Sequence, residues 1–207
     1  MYIPPHFAET REAELHRIMR AYPLGILITA LADGLDANHI PFELDASSGP
    51  HGTLRGHVAR ANPVWQQASS GSEVLVVFRG ADGYVSPNWY PSKHESHRQV
   101  PTWNYEVVHA HGTLTIHDDE KYVRGVVARL TRTHESREPQ PWKMKDSAPG
   151  YIDSMLQMIV GIEVQITRIV GKVKLSQNRE LRDRSNAAEE LRKRAHVALA
   201  DAMDRTK

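Results

Sequence analysis

The sequence predicts a mainly β, α+β fold: an antiparallel barrel with helices inserted between strands and at the ends. Three observations lead there. Short apolar runs, alternating or continuous, recur through the 207 residues with turn signals between them. Helical spacing occurs in isolated blocks, at both termini and between strand runs. The regular strand–helix–strand alternation of a parallel sheet is missing, as are internal repeats.

Tyr2-Ile3-Pro4-Pro5 is non-helical, because Pro5 pushes the preceding residue out of the α region. A helix is expected over about Glu9 to Ala21, where Leu15, Ile18, Met19 and Tyr22 share a face and Pro23 ends the pattern. Leu24 to Leu31 is a short buried-strand run, and Asp33-Gly34 signals a hairpin. Asn38 to Asp45 resumes as a strand in which Pro41, unable to donate to a ladder, demands an edge or an irregular position. Thr53 to Ala59 is the next strand, and Asn62-Pro63 starts a short helix ending near Ser69-Ser70-Gly71. Glu73 to Arg79 is a central strand that Gly80-Ala81-Asp82-Gly83 is expected to turn.

The alternation from Glu106 to His117 is the cleanest in the chain, with Val108, Ala110, Gly112, Leu114 and Ile116 on one face. Asp118 or Asp119 caps a helix carrying Tyr122, Val123, Val126, Val127 and Leu130 inward. Thr131 to Pro149 has the polarity and prolines of a surface loop. A helix from about Tyr151 to Ile159 precedes a strand through Ile162, Val164 and Ile166 that runs on to Lys174. Asn186 with Glu189 three residues on forms a capping box for a last helix, with Leu191, Ala195, Ala198, Leu199 and Ala202 inward.

Composition narrows the chemistry. There are 26 basic and 25 acidic residues, a net charge of +1, so no global field demands nucleic acid or an anionic membrane. No cysteine means no disulfide, thiol nucleophile or thiolate metal site, which fits a reducing compartment. The N-terminal stretch has prolines and acids where a secretory peptide needs an apolar core. The run from Leu24 to Leu31 falls far short of the roughly 20 apolar residues of a membrane helix. A cytoplasmic protein with no membrane partner is the expectation.

Tyr84 to Gly112 concentrates aromatic residues, with two of the four tryptophans and three of the seven tyrosines. Ser86-Pro87-Asn88 and Val100-Pro101-Thr102 are tight turns, each followed at once by a tryptophan. Trp89 and Trp103 on such turns, with Thr102 and Asn104 beside them, suit a flat ring system. They also suit plain core or interface plugs. The polar insert Ser92 to Gln99 is expected to be a flap over the ligand. The stretch Gly56 to Pro63 runs from a strand into a helix start, where backbone N–H groups, His57, Arg60 and Asn62 could hold a phosphate. An ordinary strand-to-helix connection with a solvated Arg60 and a capping Asn62 has the same sequence features.

Other chemistries are weaker. His109 and His111 point the same way on a strand, but a third metal ligand is not evident, and no HExxH helix exists. No GxSxG elbow and no Gly-rich phosphate loop is present. Arg168 to Arg194 holds nine basic residues against four acidic, without a recognisable DNA-binding motif, and solvated helix charge accounts for it.

Six motifs together resemble one family. Tyr2-Ile3-Pro4-Pro5-His6-Phe7, His39-Ile40-Pro41-Phe42, Gly56 through Pro63, Tyr84 through Tyr90, Val100 through Tyr105 and Gly171 through Asn178 are similar to the PaiB family, the FMN-binding negative transcriptional regulators. The resemblance covers nearly the whole chain. It implies an FMN-binding split β-barrel over residues 1–175, with a C-terminal tail and helix, 176–207, packed on the barrel or a dimer partner. It implies FMN as cofactor, a homodimer with flavin sites at its interface, and DNA as a further partner of a repressor. By the same resemblance His57, Arg60 and Asn62 become phosphate-end contacts. Asn38, His39 and Ile40 become backbone contacts to the flavin ring, and Thr102, Trp103 and Asn104, with Ser86 and Asn88, further flavin contacts. Glu180 stands where the family's late signature leads one to expect a proline. Catalytic residues are not assigned, and no metal is expected. The alternative is a flavin-dependent oxidoreductase, or a haem-binding or haem-degrading split barrel, without DNA binding.

Overall fold

A computed structural model gives the structure of the protein and describes residues 1–206. In chain order the strands are β1 (Ala8–Glu9), β2 (Leu24–Leu31), β3 (Gly34–Pro41), β4 (Glu43–Asp45), β5 (Thr53–Ala59), β6 (Glu73–Val85), β7 (Thr102–His117) and β8 (Ile159–Lys174). The helices are α1 (Glu12–Ala21), α2 (Val64–Gln67), α3 (Pro91–Ser96), α4 (Glu120–Glu135), α5 (Tyr151–Leu156), α6 (Leu181–Lys193) and α7 (Val197–Arg205). The strands form one sheet in the order β3-β2-β6-β7-β8-β5-β4, and β1 pairs with β8. The recorded registers, β1 with β8, β2 with β3 and β6, and β5 with β4 and β8, are antiparallel.

The chain divides into two compact units. One comprises Met19–Phe78 and His109–Ile169; the other comprises Met1–Ile18, Arg79–Val108 and Val170–Lys207. In the first, henceforth the barrel unit, the β2–β3 hairpin pairs Leu31 with Gly34, so Ala32 and Asp33 make a two-residue turn. Gly34 sits at φ +132°, which a side chain would resist. β3 is an edge strand and ends at Pro41, where a missing N–H costs the sheet least. The core draws on Leu27, Ile40, Phe42, Leu54, Val76, Phe78, Leu114, Val126, Ile162 and Ile166, all nearly sealed from solvent. Phe42 and Phe78 meet edge to face at 6.2 Å. Gly161 lets α4 approach, since a Cβ there would lie 2.7 Å from the Tyr122 ring.

The second unit, henceforth the terminal unit, gathers both chain ends and the aromatic segment. Phe7, Leu15, Ile18, Val85, Tyr90, Val108, Leu175, Leu191, Leu199 and Met203 are its buried side chains. Three expectations change here. The Gly80–Gly83 turn is absent, because β6 continues to Val85. Those glycines serve close approach instead: a Cβ on Gly80 would lie 2.8 Å from Glu106, and one on Gly83 2.9 Å from Leu199. The polar insert is the helix α3, with Pro91 in its first turn where a missing N–H is harmless. The last helix begins five residues before Asn186, at Leu181, and is broken at Ala195, whose φ is +64°. Asn186 is therefore mid-helix, and its Nδ2 donates to the Trp89 carbonyl at 2.7 Å. In the barrel unit, α4 extends to Glu135, into the stretch expected as loop. Asp119 caps it as anticipated, accepting from the Tyr122 N–H at 2.8 Å.

Candidate functional site

The barrel unit brings Asn38 against Asn62, and Gly56, the neighbour of His57 on β5, against Ile40. β5 alternates Leu54, Gly56 and Val58 inward with Arg55 and His57 on the other face. Gly56 faces β3 closely enough that a Cβ would lie 3.1 Å from both the Ile40 side chain and the Pro41 carbonyl oxygen. Beyond β5, the Asn62 Nδ2 donates to Asn38 Oδ1 at 2.7 Å, while Asn62 Oδ1 accepts from the Val64 N–H at 2.9 Å. Asn38 also donates to Asp36 at 2.6 Å, so this amide pair is fixed at both ends. His39 points to solvent from the same strand.

His57 differs from its neighbours. Its ring is half-buried, and Nδ1 is buried without a hydrogen-bond partner. Burial pushes its pKa below the ordinary 6.5, so the ring is neutral near pH 7 and offers one donor and one acceptor. A buried polar atom without a partner is uncommon in a folded protein and calls for one.

Arg60 is otherwise engaged. Its guanidinium holds both Asp118 carboxylate oxygens, at 3.0 and 2.5 Å, and donates to the carbonyls of Gln157 at 2.6 Å and Ile159 at 3.3 Å. It also lies 5.7 Å from the Trp65 ring centroid. The small cavity beside it, about 180 Å³, is lined by Asp118, Asp119 and Glu120 as well as Arg60. An incoming phosphate would meet three carboxylates and would have to displace Asp118.

The terminal unit holds the remaining expected contacts. Ser86 accepts from the Asn88 N–H at 3.2 Å and so caps the short 3₁₀ turn Pro87–Trp89; Asn88 is exposed. Thr102 Oγ1 and the Trp103 carbonyl both accept from Lys174 Nζ, the second at 2.7 Å. Trp103 is 54% exposed, its ring 6.4 Å from that of Tyr84 and nearly perpendicular to it. Asn104 has no exposure at all: its Nδ2 donates to Ser176 Oγ at 2.9 Å, and Ser176 in turn bonds Tyr90. Strand alternation explains the contrast, because Trp103 and Asn104 fall on opposite faces of β7.

Around Trp103 lies a cavity of about 660 Å³, lined by Asp82, Gly83, Tyr84, Trp89, Trp103, Arg194 and His196. Arg194 stacks 4.7 Å above Trp89 and is held by the Glu190 carboxylate and carbonyl. Sequence reasoning missed Arg194 and His196, since only the break at Ala195 turns the C-terminal chain toward the aromatic turns. It also missed Asp118, which reads as a helix cap rather than as the partner of Arg60. Among the described residues, no three His, Asp or Glu side chains gather as a metal site.

Known proteins resemble this chain over most of its length. A family model described as "Putative FMN-binding domain" matches residues 1–168. An uncharacterized protein of Aspergillus fumigatus is 34% identical over 91% of this chain and 90% of its own length. The protease synthase and sporulation protein PAI 2 of Bacillus subtilis is 30% identical over 92% of this chain and 89% of its own. Among solved structures, the flavocytochrome Anf3 of Azotobacter vinelandii superposes with a TM-score of 0.63 at 12% identity, covering 84% of this chain and 72% of its own. The fold is the split barrel that the family resemblance implied, and the family's description agrees with FMN as cofactor.

Proposed function

The chain belongs to the FMN-binding domain family, and on that premise we propose that it is a flavoprotein that binds FMN as a homodimer. The observation that carries the reading is His57, a half-buried neutral imidazole on β5 with a buried, unpartnered Nδ1. His57 and Asn62 would hydrogen-bond polar atoms of FMN, and the β3 backbone at Asn38, His39 and Ile40 would contact the flavin ring. Thr102 and Trp103, with Ser86 and Asn88, are further proposed flavin contacts, from the same or the partner chain. Asn104, sealed against Ser176 and Met203, is proposed as a structural residue rather than a ligand contact. Bound flavin supplies hydride or single-electron transfer; the chain orients it and sets the polarity around it.

The purified protein should show flavin absorption, or take up added FMN at one per chain, with a dimer mass by light scattering. A monodisperse dimer that takes up no FMN would sink this reading. His57→Ala should weaken FMN about tenfold, the value of a buried hydrogen bond to a ligand, with little change in dimer mass.

The negative transcriptional regulator role is a second reading, supported by the PaiB resemblance and the similarity to the sporulation protein. Direct DNA contact through the basic C-terminal stretch has less support. Arg182 pairs with Glu95 and Glu180, Arg192 with Asp201 and Asp204, and Lys193 and Arg194 with Glu190. Operator DNA bound more tightly than random DNA, with affinity falling steeply as salt rises, would favour repression. Salt-sensitive binding without sequence preference would count against it. Haem binding has support in the likeness to a flavocytochrome fold, and a Soret band on haem addition separates it from FMN.

A further inference from the structure

At the end of β8, Lys172 and Lys174 share a face and Arg179 follows in the next turn, and among the described residues none of them is ion-paired with a carboxylate. Strand alternation buries Gly171, Val173 and Leu175 and sets Lys172 and Lys174 on the opposite, half-exposed face. Residues two apart on one face lie roughly 7 Å apart along the strand. Lys174 Nζ donates to Thr102 Oγ1 and the Trp103 carbonyl, which uses two of its three N–H bonds. Lys172 Nζ donates to the Tyr2 carbonyl at 3.2 Å and sits 5.3 Å from the Tyr105 ring centroid. Arg179 stacks on Tyr90 at 5.6 Å.

Of the neighbouring acids, Glu9, opposite Gly171 across β1 and β8, holds Arg11, Glu180 holds Arg182, and Asp183 accepts from the N–H and hydroxyl of Ser92. Burial, and after it the charges of Lys172 and Arg179, push the Lys174 ammonium below its ordinary pKa. A folded chain that keeps like charges together, half-buried, with N–H bonds to spare, bears an electrostatic cost that a bound anion would relieve.

We propose that Lys172, Lys174 and Arg179 form a binding site for a phosphate group, with Thr102 orienting Lys174 and Tyr105 walling the site beside Lys172. The phosphate belongs either to FMN or to a separate phosphorylated substrate. The first source rests on the flavin reading above; the site itself does not.

The test is isothermal titration of the full chain with inorganic phosphate at low ionic strength, before and after saturation with FMN. Wild type should bind phosphate saturably, and the double variant Lys172→Met, Lys174→Met at least about tenfold more weakly, because two charge-assisted bonds are lost. Methionine keeps the aliphatic stems, and Lys174→Arg, which restores the charge, should recover most of the binding lost by Lys174→Met alone. If FMN saturation abolishes phosphate binding, and the double variant loses affinity for FMN but not riboflavin, the cofactor's phosphate is the occupant. If FMN-saturated protein still binds phosphate, the occupant is a separate phosphorylated substrate. Equal phosphate affinity for wild type and double variant, or no saturable binding by wild type, overturns the site. Failure to take up FMN at all sinks the flavin reading alone, since the phosphate comparison stands without it.

Discussion

Single side chains in this protein divide by what already holds them. Arg60 carries the fixed positive charge closest to the Asn62 loop in sequence, yet Asp118 and two carbonyls occupy its guanidinium. Arg60→Ala should therefore lower the thermal midpoint and weaken FMN and riboflavin to the same extent. A loss confined to FMN would put the phosphate on Arg60 after all. Asn104, sealed against Ser176, should behave as a core residue. Asn104→Ala is expected to cost about 1–3 kcal/mol in chemical denaturation, because it strips a buried partner from Ser176 while flavin affinity holds. His57, His109 and His111 all have pKa values lowered by burial from the ordinary 6.5. The unfolded chain then binds more protons than the folded one just below that value. Stability is fully present above about pH 6.5 and should fall as pH drops through and below it. Thermal midpoints measured from pH 8 to 5 should show this slope, and His57→Gln should flatten it.

Whole elements are locked by a few buried polar contacts, most clearly in the terminal unit. α3 is tied to α6 by Asp183, 1% exposed, which accepts from the Ser92 N–H at 3.0 Å and from its hydroxyl at 2.5 Å. Gln99 Nε2 adds a bond to the same hydroxyl at 2.9 Å. The polar insert, expected as a flap, is thus a pinned helix. Asp183→Ala should cost about 2–3 kcal/mol, the value of charge-assisted bonds lost with donors left buried. It should also open residues 91–99 to protease, a change that limited proteolysis reads directly. Glu106, 1% exposed on β7, accepts from Arg17 of α1 at 3.0 Å and faces Arg205 of α7 at 3.4 Å. Removing both arginines would leave a buried carboxylate without a cation. The double variant Arg17→Ala, Arg205→Ala should lose about 3 kcal/mol, the low end for a broken buried pair because water reaches both arginines. Either single variant should lose less than half of that by urea denaturation.

At the scale of the molecule, the sheet exposes β3 as an edge, with Leu35 81% exposed and only Ile40 of the strand buried. An unpaired edge invites pairing or cover, which is consistent with the proposed homodimer. No helix among the described residues is long and apolar enough to cross a membrane. Acidic and basic residues nearly cancel overall, so local imbalances such as the Lys172–Lys174–Arg179 cluster stand out against a neutral background. That neutrality predicts phosphate binding that weakens with salt in proportion to the few charges involved, a shallow slope rather than the steep one of a DNA-tracking surface.

The sequence alone determined most strand cores, the antiparallel class and the family, but it joined β3 and β4 into one strand over Asn38–Asp45 and missed β1. Period-two alternation over Val108–Ile116 and the apolar runs at Leu24 and Glu73 are local signals, and the six motifs are contiguous stretches. It also located the aromatic turns and the His57–Asn62 loop. Only tertiary structure decided what each residue does there. Gly80 and Gly83 looked like a turn because nothing local shows that Glu106 and Leu199 press against them. Asn104 and Trp103 looked equivalent until alternation on β7 and the cover of Met203 sealed one and left the other open. Arg60 looked free because Asp118 is 58 residues away in sequence. Local periodicity sets secondary structure, whereas the partners of a charged or polar side chain come from distant segments, so what holds each candidate residue is decided by contacts that no window of sequence contains.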